Sequence, residues 1–509
     1  MNRYAAWLTI TLLCGWTGVT AGPSDDPIEA AIDRMSVDER IGRLLFIAFT
    51  GTTSDVDLDR ALDELHPGGV LFYSRNVGTL TEVQVLTRRV HRGALPPLTG
   101  IDEEGGFVVR LPEGIPHLPS AMAMGATRSE ALTEETGLQL GHCLRASGFD
   151  LDFAPVLDVH SAISQSWIGT RAISDDEALV ARIGGAFIHG ASSAGLLTVA
   201  KHFPGIGATS DDPHQTTPRL RGPQLVPFRA AIAAGVPCVM TAHAVVSTND
   251  AERPVSISPA WHEVLRRDLR FDGVIMSDAL QMEGLPKTQG IGRAAVAAIL
   301  AGSDMVVTSW TPRERTAVRD ALRDAYTHGE ISEARLRISL RRLIALQRRL
   351  ASTPVLPCGT SDLDQRIARA SVTLVRGKRP LLRGGKTLYV GVDGPLRRAF
   401  TNAVLLPHTI EHPRYFERQL AAAPQPRSIV AAAYNESQTA IVRTAHKQFP
   451  GSRLVFIDLG SPYLLAGLKA DVEICTYGAG DAEQQAALDV LRGVRSAAGT
   501  MPIRGVAKP

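Results

Sequence analysis

Between residues 36 and 350, short apolar runs alternate with longer stretches in which apolar residues recur every three or four positions. A run of about four to eight apolar residues bounded by turn formers reads as a buried strand, and the longer spacing reads as an amphipathic helix. Eight such runs occur, at 44–49, 69–73, 98–102, 151–158, 196–201, 238–243, 273–278 and 304–309. Helical spacing fills stretches between them, including 81–95, 130–146, 176–194, 224–234, 261–269 and 293–301. Eight alternating units predict an α/β chain whose first domain, assigned to 27–351, is a (β/α)8 TIM-like barrel.

A helical, arginine-rich segment at 314–351 closes this unit, and the Pro- and Gly-containing stretch 352–368 reads as a linker. Strand-like runs follow at 386–393, 427–434, 453–460 and 471–478, with helical stretches at 437–448 and 483–492. That order predicts a smaller C-terminal α/β domain over 369–509, a mostly parallel sheet covered by helices.

Several barrel runs finish on a side chain able to do chemistry: Asp102, Asp158, Lys201, His243 and Asp278. The C-terminal strand ends of such a barrel form its active-site face, so these five are functional candidates, with loop anchoring or buried ion pairing as the competing reading. Asp278 interrupts an apolar strand with one carboxylate, suited to attack an anomeric carbon or to cap the next helix. The run ending at Lys201 enters a Pro/Gly loop, His202 to Gly207, followed closely by Asp211, Asp212 and His214. Asp212 and His214 are two apart in an extended loop, so the carboxylate can fix the imidazole tautomer and raise its basicity, which makes an acid/base dyad. His202, Asp212 and His214 could instead ligate zinc, but no metal-binding spacing accompanies them and no metal is assigned. A third group joins Asp102, Glu103, Glu104, Gly105 and Gly106 with Arg110 and the separate Arg171, where glycines admit a ligand to the backbone and arginines offer forked donors.

Composition narrows the partners. The chain has 509 residues, 44% hydrophobic and 21% charged, with 54 Lys and Arg against 52 Asp and Glu. A net charge of +2 supplies no field for nucleic acid, so a neutral or locally recognised ligand is expected. Arg3, the apolar stretch 5–14 and the small-residue end Val19-Thr20-Ala21 have the layout of a signal peptide over 1–21. Export to the periplasm or medium is expected, with no integral span once the leader is removed. Bulky Leu12 and Leu13 before Cys14 make lipid attachment the minor alternative. Four cysteines lie beyond the leader: Cys238 and Cys475 sit in apolar runs and read as core, while a disulfide is chemically allowed outside the cytoplasm.

The barrel resembles the bacterial β-N-acetylglucosaminidases of glycoside hydrolase family 3. The motifs that carry the resemblance run in order: Ile41-Gly42-Arg43-Leu44-Leu45, Pro67-Gly68-Gly69-Val70, Asp102 to Gly106 with Arg110, Phe153 to Asp158, Lys201 to Gly207, and Gly273 to Leu280. The resemblance implies a retaining exo-β-N-acetylglucosaminidase with Asp278 as nucleophile, His214 as proton donor and Asp212 as its partner. It places Asp102, Arg110, Arg171, Lys201 and His202 around the terminal sugar, and implies no cofactor. Two positions depart from the family pattern: Ile206 stands where the loop usually carries a second histidine, and Ala279 where a polar residue often follows the nucleophile. Alternatives from the same reading are a β-glucosidase-like or phosphorolytic family 3 enzyme, and a catalytically inactive sugar-binding wall protein.

Overall fold

Eight parallel strands close into a barrel in the computed structural model, which describes residues 26–504 except 53–55, 112–114, 116, 165–166, 286–289, 309–310, 352, 360, 379–380, 383–384, 408–409, 411–412 and 466–467. The expected leader, 1–21, lies outside the described residues. The strands are β1 (Leu45–Ala48), β2 (Gly69–Phe72), β3 (Leu98–Ile101), β4 (Leu151–Asp152), β5 (Leu197–Phe203), β6 (Cys238–Thr241), β7 (Val274–Ala279) and β8 (Met305–Val307). Each pairs in parallel with its chain neighbours, and β1 closes the ring onto β8. Helices outside and side chains inside cover both faces, which is why these strands read as unbroken apolar runs rather than as alternating ones. Phe46 and Phe153 meet edge to face inside the barrel at 5.3 Å. A Cβ on Gly69 would stand 2.4 Å from the Phe46 ring, so glycine there makes room for the aromatic filling.

Three expected elements are corrected. The run 151–158 is a strand only at Leu151–Asp152; Pro155 offers no N–H to the ladder, and the backbone beyond pairs with β5 only at an isolated bridge, Val156 to Lys201. The helix at 261–269 divides into an α-helical turn, Pro259–Glu263, and a π-helical turn, Val264–Asp268. The segment 314–351 is two helices, Pro312–Thr327 and Glu333–Ala351, separated by a turn in which Gly329 takes a φ of 76°.

The second domain is a six-stranded sheet of β9 (Thr373–Arg376), β10 (Thr387–Gly391), β11 (Asn402–Leu405), β12 (Ser428–Ala433), β13 (Arg453–Asp458) and β14 (Val472–Cys475), in the order β9-β14-β13-β12-β10-β11. Only β9 runs antiparallel. The stretch expected as linker holds the start of helix Leu363–Ser371, and just before it Cys358 forms a disulfide with Cys143 of helix Glu130–Ala146. Loops that follow β12, β13 and β14 meet the active-site face of the barrel: Tyr434 packs on Phe107, Tyr463 stacks on His160, and the Ser120 hydroxyl donates to the Tyr477 carbonyl. The C-terminal residues return to the barrel as well, with Thr500 N–H donating to Ala126 and Arg504 N–H to Asp175. Among the described residues no helix is long and apolar enough to cross a membrane.

Candidate active site

A cavity of about 480 Å³ opens at the C-terminal strand ends of the barrel. It is lined by Asp102, Glu104, Arg110, Arg171, Lys201, His202, His214 and Asp278, with Tyr73, Val108, Trp167, Met240 and Met282 among its other walls. Larger clefts of about 690 and 790 Å³ lie at the N-terminal strand ends. They gather mainly arginines and apolar side chains, and in the second Asp150 and His91 are bonded to each other, with Asp150 also paired to Arg145.

Lys201 projects from β5 at an irregularity in its pairing with β6, where its backbone bonds Pro155 and Leu157, and its ammonium lies 2.6 Å from both Asp102 and Glu104. Arg171 grips the same Glu104 with two bonds of 2.7 and 2.9 Å. Burial alone would raise the Glu104 carboxyl, but Arg171 and Lys201 outweigh it and hold the group well below the carboxylate range. Lys201 is the mirror case: burial works against its charge, and Asp102 and Glu104 keep its pKa above the ordinary lysine value. The cavity therefore presents three carboxylates, Asp102, Glu104 and Asp278, and three cations, Arg110, Arg171 and Lys201. Such a balanced, hydrogen-bonding wall suits a neutral polyhydroxyl ligand better than a charged one.

Asp278 closes β7, and its Oδ1 accepts the Ala279 N–H at 2.7 Å. Burial penalises its charge, yet the nearby His202 and His243, with that N–H, leave its pKa below the ordinary aspartate value. It is thus ionised at neutral pH, as a nucleophile or cation stabiliser must be. His202 is held through Nδ1 by the buried Asp158 at 2.7 Å. His243 is buried between the Ser256 hydroxyl and the Ala279 carbonyl, and burial lowers its pKa.

His214 reaches the cavity from the loop after β5. Its Nδ1 lies 2.8 Å from Asp212 Oδ1, and its backbone N–H donates to the same oxygen. Burial opposes the Asp212 charge, but these bonds bring its pKa below the usual value. The His214 side chain is 64% exposed, so its ring nitrogen opposite Asp212 is open to a ligand. The loop is tied down along its length: Ser161 donates to Gly207, the Trp167 indole to Thr209, Gly284 N–H to Pro213, and the Thr217 hydroxyl to Gly284.

All eight residues to which the resemblance assigns a role are accounted for: seven line the cavity, and Asp212 stands behind His214. Glu104, which joins Lys201 to Arg171, was not among them, although it lay within the acidic Gly-Gly motif. Asp158 and His243 were visible as strand-end residues, and the structure gives them the work of holding His202 and flanking Asp278. Nothing in the local sequence marked Trp167 or Met282 as cavity walls.

Residues 36–346 match the glycosyl hydrolase family 3 N terminal domain. The chain belongs to glycosyl hydrolase family 3. A β-hexosaminidase of Thiobacillus denitrificans is 37% identical over 278 residues, covering 52% of this chain and 77% of its own length. A β-hexosaminidase of Methylococcus capsulatus is 37% identical over 270 residues, 50% of this chain and 80% of its own. The solved structure of a glycoside hydrolase family 3 β-N-acetylglucosaminidase from Paenibacillus sp. str. FPU-7 has a TM-score of 0.84 at 28% identity, covering 92% of this chain and 99% of that one.

Both departures from the family 3 pattern fall on positions with backbone duties. Ile206 is fully buried in an apolar cluster with Phe203 and Val159, and its N–H donates to Asp158 at 2.7 Å. Its side chain anchors the loop base and does not line the cavity. Ala279 supplies the N–H that steadies Asp278 and the carbonyl that meets His243.

Proposed function

We propose that this family 3 glycoside hydrolase is a retaining exo-β-N-acetylglucosaminidase. One observation carries the reading: an ionised strand-end aspartate, Asp278, and a loop-borne His214–Asp212 dyad converge on one cavity whose remaining polar groups suit sugar hydroxyls. The names of the β-hexosaminidase relatives support the same substrate class. Asp278 attacks the anomeric carbon of a terminal β-linked N-acetylglucosamine while His214, doubly protonated, gives its outer ring proton to the departing oxygen. Asp212 holds the Nδ1 proton, so the opposite nitrogen returns as a base and draws a proton from the water that frees the sugar. Asp102, Arg110, Arg171, Lys201 and His202 hold that sugar.

The signal-peptide layout, together with a disulfide that needs an oxidising compartment, supports export to the periplasm or medium. There the substrates are peptidoglycan fragments or chitin-derived oligosaccharides. The test is chromophore release from aryl β-N-acetylglucosaminide and aryl β-glucoside by residues 22–509, with and without phosphate. The acetamido substrate alone turns over, phosphate leaves the product unchanged, Asp278→Ala abolishes turnover and His214→Ala lowers it about 10²- to 10⁴-fold. A parent that binds the sugar without cleaving it, or variants that match the parent, overturns the reading.

A further inference from the structure

Arg110 differs from the other cations of the cavity. Lys201 and Arg171 are neutralised by Asp102 and Glu104, whereas among the described residues no carboxylate lies within ion-pair distance of Arg110, and its buried Nε has no acceptor. Donor capacity left unused in a polar cavity is capacity for a ligand oxygen. What directs this side chain is the backbone beneath it, in the loop that leaves β3 at Asp102. Glu103 is 5% exposed, and its Oε2 accepts the N–H groups of both Arg110 and Leu111, at 2.7 and 3.1 Å. Its own N–H donates to the buried Asp152 at 2.9 Å. The turn between is tight: Gly105 and Gly106 have φ values of 82° and 61°, and a Cβ on Gly105 would stand 2.6 Å from the Pro119 carbonyl.

We infer that Glu103 is a positioning residue for substrate binding, closing this loop on itself and thereby aiming Arg110 at the sugar. The inference rests on the proposed glycosidase reading and adds a residue that touches no substrate. Arg110, Asp102 and Asp152 are the charged and titratable groups that face Glu103. Burial is the largest influence and pushes its carboxyl up to about 7, against the two N–H bonds and Arg110. The carboxylate is a stronger acceptor than the acid, so the clamp tightens as pH rises through that value.

The experiment compares the parent with Glu103→Ala, Glu103→Gln and the combination of Glu103→Ala with Arg110→Ala. It reads kcat and KM on aryl β-N-acetylglucosaminide from pH 6 to 8.5, and calorimetric binding of N-acetylglucosamine. Loss of the clamp raises KM about tenfold in Glu103→Ala while kcat stays within about threefold. Glu103→Gln keeps an oxygen acceptor, so it restores KM at pH 6 and loses the fall in KM that the parent shows toward pH 8. In the Arg110→Ala background, Glu103→Ala adds nothing further. An unchanged KM in Glu103→Ala, a parent-like pH dependence in Glu103→Gln, or a full additional loss in the Arg110→Ala background overturns the inference. If Glu103→Ala does not fold, the pH profile of Glu103→Gln decides. A parent that binds N-acetylglucosamine without turning over the aryl substrate overturns the hydrolysis reading and leaves the Glu103 comparison standing in the binding data.

Discussion

Glu103 and Glu104 are chain neighbours whose carboxyls respond to pH in opposite directions, because one is buried facing backbone and the other is buried between two cations. Glu104 has its pKa depressed below the 4.5 of a free glutamate. Its contribution to stability is present above that value and is lost as pH falls toward the folded-state value. Removing one member of a buried charge cluster costs about 3–5 kcal/mol. Glu104→Gln is therefore expected to lose about that much at pH 7 in denaturant titrations, with the gap narrowing below pH 4.5. Glu103, raised from 4.5 to about 7, binds its proton more tightly in the folded state, so it takes stability away as pH climbs between those values. The difference corresponds to about 3 kcal/mol once both states are ionised. Glu103→Gln should accordingly gain stability relative to the parent on moving from pH 5 to pH 8. Equal differences at both pH values would show that the carboxyl does not carry its proton into the neutral range.

The loop from Gly205 to Thr217 shows how elements turn residue chemistry into a site. Ile206 pins its base and the Trp167 indole N–H holds its middle through Thr209, so His214 is presented on a span tied at both ends. Trp167→Phe keeps an aromatic side chain but removes the N–H together with the five-membered ring that carries it, and the lost hydrogen bond accounts for about 1 kcal/mol. It should lower kcat several-fold with little change in melting temperature, and a melt shifted as far as the activity would mean that Trp167 serves the core instead. Elements of this kind were only partly legible in the sequence. The barrel strands stood out because each is buried on both sides and shows an unbroken apolar run. The omissions in the second domain are its two edge strands, β9 and β11, each only four residues long, and of Asn402–Leu405 only Val404 is buried. Chemistry-bearing strand ends were legible for the same reason, a polar residue at the end of an apolar run. Glu104 and Trp167 lie in loops, where only the folded chain shows what they touch.

At the scale of the whole molecule, the second domain is attached to the barrel at both of its ends. Residues 500–504 return to the barrel, Thr500 to Ala126 of the helix Ala121–Thr127 and Arg504 to Asp175 in the loop that follows Arg171. At the other end, Cys358 is bonded to Cys143, Gln139 donates to Gly359, and Arg366 grips Glu135 with two bonds of 2.6 and 2.8 Å. The disulfide spans 215 residues of chain, nearly the whole barrel beyond its third strand, so it restricts a large part of the unfolded ensemble. A native disulfide of this kind contributes about 2–4 kcal/mol. Replacing Cys143 and Cys358 together by serine should therefore lower the melting temperature by several degrees while leaving kcat/KM unchanged, since neither sulfur lines the cavity. The same bond gives the proposed export a chemical signature. Cys238 and Cys475 are free and buried, so protein recovered from the periplasm and denatured without reductant should titrate two thiols in residues 22–509, whereas material held in a reducing cytoplasm should titrate four. Four thiols in the exported protein would mean that the bond does not form where the enzyme works, and attachment of the second domain would then rest on non-covalent contacts alone: the Arg366–Glu135 pair, the returning tail and the loops that meet Phe107, Ser120 and His160.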